Sequence, residues 1–299
     1  MAVIGQVVPE GTQTKEGFHG LRRTTEGLLY YAKIDKDNTD TIDLSSGVPN
    51  ESIQLPTSGG HVNFDETLIN SIKLSELTGT EPIEKQGQVR WFKKPSKEQT
   101  YMVALDPSLG TGGDNAAIQV LELPTMIQVG EWSSNKVPIE GQVKVMMEIM
   151  QYIKECSGYQ IYWTVENNSI GEAALVVIRD TGEENFPGEM LHEPRKIQGK
   201  KGRKGFHTTH KSKMESCLVL KRLVENDKIH IKSKALISEL KAFISSGSSF
   251  QAKPGHHDDL VSSLLLTLRI MSVMKDWDPT VYETFNQIEA DENYEMPMP

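Results

Sequence analysis

The sequence predicts an α/β fold built on a mixed sheet, on three observations. Three strand-like runs follow one another closely between residues 101 and 132. From residue 139 onward helix-spaced and strand-like segments alternate, the pattern of helices packed on a sheet. Finally, 299 residues at 37% apolar content is the composition of a globular chain with volume for a real core.

The elements follow in order. Tyr101–Leu105 is a short apolar strand ending at Asp106, and the Gly-rich turn Gly110-Thr-Gly-Gly113 comes next. Ala116–Leu123 and Met126–Trp132 are two further strands parted by Pro124-Thr125, so the first three strands form an antiparallel meander. Ile139–Cys156 has apolar residues at helical spacing: Val143, Met146, Met147, Met150 and Ile153. Ile161–Val165 is β-favouring and ends at Glu166. Gly171–Arg179 is a helix, Met214–Glu225 a helix, Lys228–Ile231 a strand, Leu236–Ile244 a helix and Ser248–Ala252 a last short strand. Asp258–Met274 is a strongly apolar helix.

The flanks differ in texture. Residues 1 to about 95 are polar and irregular, with a helix or strand near Thr67–Leu77 and a short strand near Gln88–Phe92. Residues 276–299 hold seven acids and no Lys or Arg, the composition of a disordered or loosely docked tail. No apolar run approaches the roughly 18–20 residues that span a bilayer, so no membrane role is expected. Two cysteines, Cys156 and Cys217, give no disulfide framework and suit a reducing compartment. A net charge of -9 argues against a general nucleic-acid coating protein.

The chemistry resides in acids at matching places. Asp106 ends the first strand, Glu166 ends the fourth, and Asp258 and Asp259 open the final helix. Strand C-termini in an α/β sheet gather at one edge, and a helix on the sheet brings its N-terminus there too. Converging carboxylates repel one another and become tolerable around a divalent cation. Oxygen ligands select Mg²⁺ or Mn²⁺, and two such ions about 4 Å apart hydrolyse phosphodiesters. Each acid also has an ordinary reading. Asp106 before Pro107 serves as a turn residue, Glu166 as a solvated strand end, and one of the Asp pair as a helix cap. Asp114 caps or buttresses the Gly-rich turn.

The stretch from Arg195 to Lys213 holds eight Lys or Arg and no acid. Its functional reading is a loop gripping the DNA backbone, carried by Lys200, Lys201, Arg203, Lys204, Lys211 and Lys213; its ordinary reading is a solvated surface. His207, His210, His256 and His257 are phosphate or water positioners or plain surface residues. There is no Gly-x-x-x-x-Gly-Lys-Ser/Thr loop, no Cys/His zinc spacing and no Gly-x-Ser-x-Gly elbow.

Five segments in order resemble the nuclease domain of a tailed-bacteriophage (T4-like) terminase large subunit. They are YMVALDPSLGTGGD (101–114), QVGEW (128–132), IYWTVENNSIGEAA (161–174), THKSKMESCLVLKRLVENDKIHI (209–231) and HHDDLVSSLLL (256–266). Residues 60–80 match the junction after the family's motor domain more weakly. The resemblance implies a ribonuclease-H-like fold, a mixed five-stranded sheet with flanking helices over 96–275. It implies a metal-dependent endonuclease using two Mg²⁺ or Mn²⁺ ions to cut concematers of viral double-stranded DNA during packaging. Asp106, Glu166 and Asp259 match the catalytic acids, with Asp258 a further metal ligand, and Asp114 matches an acid near the first motif in some relatives.

The family's ATPase motor has no counterpart here, so residues 60–95 read as the end of a motor-domain linker and the motor as the rest of a longer chain or a separate one. Expected partners are that motor, the small terminase subunit and the portal, in the host cytoplasm and transiently at the procapsid portal. A non-catalytic DNA-binding or capsid-docking module, a RuvC-like junction resolvase and an actin-like ATPase are the rival readings.

Overall fold

The structure is a computed structural model of the chain. It describes the strand backbones between residues 13 and 54 and residues 67–193, 204–247 and 249–277. The acidic tail after Trp277 and residues 195–203 of the basic stretch, Lys200, Lys201 and Arg203 included, lie outside the described residues. The chain divides into two compact units, Met1–Glu76 and Leu77–Pro299.

The first unit contains five strands, β1 (Gln13–Thr14), β2 (Gly17–Arg23), β3 (Leu29–Asp35), β4 (Thr41–Ser45) and β5 (Ile53–Gln54), and one short helix, α1 (Ser71–Glu76). The strands pair in chain order, every neighbour antiparallel. The sequence reads as irregular here because the strands are polar. In β2, Gly-Phe-His-Gly-Leu-Arg-Arg has too few apolar residues to reveal a period of two.

The second unit is a layered α/β body. Its strands are β6 (Glu84–Gln86), β7 (Val89–Trp91), β8 (Thr100–Asp106), β9 (Ala116–Leu123), β10 (Ile127–Ser134), β11 (Ile161–Val165) and β12 (Glu189–Met190). They form one sheet in the order β12-β11-β8-β9-β10-β7-β6. Pairings β12–β11 and β11–β8 are parallel and the remainder antiparallel, so the sheet is mixed. It has seven strands, not the expected five. The outer strands are two or three residues long, and Glu84-Lys85-Gln86 has no apolar side chain, so neither length nor pattern announces them.

Helices α2 (Ile139–Ser157) and α3 (Ser169–Thr181) cover one face of the sheet, while α6 (Asp259–Trp277) crosses the other against β8, β9 and β11. Helices α4 (His210–Glu225) and α5 (Lys234–Ala242) pack on α6. Two expected elements change character. Lys228–Ile231 makes only an isolated bridge from His230 to Ile127. The last short strand, β14 (Ser249–Ala252), pairs with β13 (Phe243–Ser246) in a separate hairpin, and α5 therefore stops at Ala242.

Strand alternation decides which residues serve function. Tyr101, Val103 and Leu105 join Ile161, Trp163 and Val165 in the core beneath α2 and α3. A period of two then turns Asp106 and Glu166 to the α6 face. There, Ser263 Oγ donates to Ala104 O at 2.9 Å. The parallel register sets Leu105 against Val165, and Glu166 N donates to Leu105 O at 2.9 Å. The two acids therefore leave the sheet side by side.

A buried polar cluster ties α5 to the sheet. Gln128 Oε1 on β10 accepts from Lys232 N and Ser233 N, both at 2.8 Å. Glu131, also buried, pairs with Arg90 at 3.0 Å and accepts from Ser233 Oγ. Ser233 Oγ in turn accepts from Leu236 N at 3.1 Å and caps α5. Every partner left unpaired in such a buried cluster would cost stability, so its register is sharply defined.

Leu264 is fully buried on α6. Leu264→Ala should lower the unfolding free energy by about 2–5 kcal/mol, read from the midpoint of urea denaturation at constant slope. An unchanged midpoint would contradict the packing of α6 on the sheet.

Candidate functional site

A cavity of about 370 Å³ opens at the C-terminal edge of β8 and β11, lined by Asp106, Asp114, Glu166, Asn168, Lys213, Asp259 and Arg269 among others. The loop below it is clamped from α2. Buried Gln142 accepts from Ser108 N at 3.2 Å and donates to Ser108 O and Val137 O, both at 2.8 Å. Gly110, at φ 69°, lets this loop pass Val137, since a Cβ there would lie 2.2 Å from Val137 O.

Asp106 sits deep in the site, with part of its surface open to the cavity. Burial drives its carboxyl well above the usual carboxylate range, and neighbouring Glu166, Asp259 and Asp258 push the same way. Glu166 shares the cavity with Asp106. Glu166 is itself fixed by Asn168, whose Nδ2 donates to Glu166 Oε2 at 2.5 Å. The same Asn168 caps α3, its Oδ1 accepting from Ile170 N at 3.0 Å and Gly171 N at 2.8 Å. The first turn of α3 presses so closely on this strand end that a Cβ on Gly171 would fall 1.7 Å from Glu166 O.

Asp259 arrives from the first turn of α6. Its Oδ2 accepts from Asn115 N at 3.2 Å and Asn115 Nδ2 at 2.9 Å, and His257 Nδ1 lies 3.4 Å away. Burial raises its carboxyl, and the Asn115 hydrogen bonds oppose the rise. Asp258 does not line the cavity; it faces Lys213 Nζ at 3.8 Å. Of the Asp pair, Asp259 is the one the cavity shares with Asp106 and Glu166.

The structure divides the described basic residues. Lys213 lines the cavity, with its ammonium 5.5 Å from the centre of the Phe243 ring. Lys211 is 86% exposed beside Glu215, and Lys204 pairs with Glu183; neither reaches the cavity. Sequence reasoning missed Arg269, which closes one wall. Its guanidinium lies over Phe206, and its Nη2 meets Glu193 at 2.5 Å and His207 O at 3.3 Å. Burial lowers its pKa, and Glu193 counters that.

Also missed were Asn115, Asn168 and Glu239. Asn168 carried a visible signal, a capping residue between a strand and a helix. Glu239, on α5, lies far in sequence from the groups it serves. Its Oε2 accepts from Leu260 N at 2.9 Å and Val261 N at 3.1 Å, and burial lifts its carboxyl to about 7.

The donor set fits a hard divalent cation, because the cavity's acidic wall offers carboxylate oxygens alone. Among the described residues no three His, Cys, Asp or Glu side chains are gathered tightly enough to hold an ion as they stand. Glu166 and Asp259 each accept from a neighbouring amide, of Asn168 and Asn115.

Comparison with known proteins gives a consistent result. Residues 103–269 match the family described as the terminase RNaseH-like domain. The large terminase nuclease of thermophilic phage G20c with bound magnesium is 19% identical with a TM-score of 0.51, over 68% of this chain and 97% of that one. A second structure of that nuclease is 17% identical with a TM-score of 0.52, over 68% and 98%. Both share the fold.

Ionisation of a carboxyl whose folded-state pKa is raised destabilises the fold. The penalty is absent at low pH and grows as pH climbs above the unfolded value of about 4. Asp106→Asn should therefore melt above the parent in EDTA at pH 8, with the gain shrinking as pH falls toward 4. Thermal denaturation checks this, and a variant that melts lower at pH 8 would contradict the charge crowding. Asn168→Ala should cost about 0.5–2 kcal/mol as a lost cap.

Proposed function

The chain belongs to the terminase RNaseH-like domain family, and from that premise we propose that it is a metal-dependent endodeoxyribonuclease that cuts concatemeric viral DNA during genome packaging. The observation that carries the reading is the meeting of Asp106, Glu166 and Asp259, from two strand ends and a helix start, in one cavity. Carboxylates so placed cost stability, and a binding role for a cation accounts for the cost.

In this reading Asp106, Glu166 and Asp259 would hold two Mg²⁺ or Mn²⁺ ions, while Asp258, expected from the sequence as a further ligand, is turned to Lys213 outside the cavity and adds only its charge. The ions supply an activated water and charge neutralisation at the leaving oxygen. The magnesium-bound G20c nuclease supports that choice of cation. The protein's own groups do the rest. Asp106 is the deepest acid and the one both others approach. Asn168 and Asn115 hold Glu166 and Asp259 in line. Lys213, and Arg269 across the cavity, draw a phosphodiester toward the acids.

The segment from Arg195 to Lys213 grips the backbone through Lys200, Lys201, Arg203, Lys204, Lys211 and Lys213, contacts that carry no base preference. The nuclease then takes in β6 and β7, which are strands of its sheet, and so begins before residue 96, within the second unit; a linker to a motor would end ahead of these strands, and 276–299 would serve as a docking tail. A terminase motor, the small subunit and the portal complete the assembly, in the host cytoplasm and at the procapsid.

Supercoiled plasmid should be nicked and linearised with Mn²⁺ or Mg²⁺ and stay intact in EDTA. Asp106→Asn should abolish cutting while its circular dichroism stays parental; cutting at the parental rate by that variant overturns the assignment. Neutralising Lys200, Lys201, Arg203 and Lys204 together should weaken duplex binding and flatten its dependence on salt concentration. An unchanged slope would make the segment an ordinary solvated surface.

A further inference from the structure

We propose that Glu239 is a positioning residue that caps α6 from outside, in the place of Asp258, and thereby fixes the first turn that carries Asp259 to the cation site. The proposal rests on the reading of Asp259 as a metal ligand. The start of a helix exposes backbone N–H groups that need acceptors, and an Asp at that place ordinarily folds back to accept from them. Neither Asp258 nor Asp259 does so through its side chain here. The amides of Leu260 and Val261 both donate to Glu239 Oε2 instead, at 2.9 and 3.1 Å.

These are the amides that Asp258, the residue before the first turn, would otherwise cap, so another helix fixes the turn on which Asp259 stands. Asp259 Oδ2 is held by Asn115, and its Oδ1 accepts from none of the described residues, on a side chain that lines the cavity. Glu239 does not line the cavity, so its effect on a bound ion runs through α6. Its own position is secured at a distance. Ser233 caps α5, and Ser233 is gripped by Gln128 and Glu131 on β10. A rigid path therefore leads from the sheet through α5 to the first turn of α6. Glu239 also faces the charges of Asp259 and Asp258, so removing it changes the local field as well as the cap. A test has to separate the two.

Mn²⁺ affinity of the full chain without DNA, followed by the electron paramagnetic resonance signal of free Mn²⁺, makes that separation, with circular dichroism reporting the fold. Asp259→Asn should lose affinity, which secures the underlying reading; parental affinity in that variant would overturn that reading and this proposal together. Glu239→Ala should bind Mn²⁺ about tenfold more weakly. Glu239→Gln removes the charge but keeps an acceptor oxygen, and should stay within about threefold of the parent. Parental affinity in Glu239→Ala, with affinity lost in Asp259→Asn, would overturn the positioning role alone. A tenfold loss in Glu239→Gln would also overturn it, because Glu239 would then act through charge. Should Glu239→Ala fail to fold, Glu239→Asp, which keeps the charge but falls one methylene short of the α6 amides, takes its place: about tenfold weaker binding is expected, and parental affinity overturns the positioning role.

Discussion

Like charge held together by folding is the constraint on which the second unit depends. Asp106, Glu166 and Asp259 would separate in a free chain. Folding brings them to one cavity, against both their mutual repulsion and the loss of water around Asp106. The apolar core beneath α2 and α3 and the packing of α6 supply the free energy that makes this tolerable. Sites that bind cations carry this kind of stored cost, because the ion relieves it.

The acids are placed by backbone features rather than by flexible side-chain choices. The register of β11 on β8 sets Asp106 and Glu166 side by side, and a slip of β11 by one residue would turn Glu166 toward the core. Gly171 permits the close approach of α3, and Asn168 uses its two amide ends on two tasks, capping that helix and holding Glu166. On the opposite side, Glu239 caps the first turn of α6 in the place of Asp258, and Asn115 holds the Asp259 carboxylate. Amides and glycines thus surround the carboxylates as a frame.

The sequence disclosed much of this and concealed a definable part. The long strands β8 to β11 were legible as short, continuous β-favouring runs bounded by turn residues, and the helices by apolar residues repeating at a period of 3.6. The acids were legible from their places at strand ends and a helix start. The edge strands β6 and β12 were hidden by brevity, and β2 by its polarity. Glu239 and Arg269 were hidden for another reason. Glu239 is an ordinary charged residue on an amphipathic helix, and Arg269 is a lone charge on an apolar one; the role of each exists only through partners on other elements. The basic stretch was conspicuous in sequence, but of its described lysines only Lys213 reaches the cavity.

Anomalous diffraction at the manganese edge from crystals soaked in Mn²⁺ tests the central claim most directly. The account predicts anomalous peaks within bonding distance of the carboxylates of Asp106, Glu166 and Asp259. Full soaking with no peak among those three groups, or with manganese bound only elsewhere on the molecule, would contradict it.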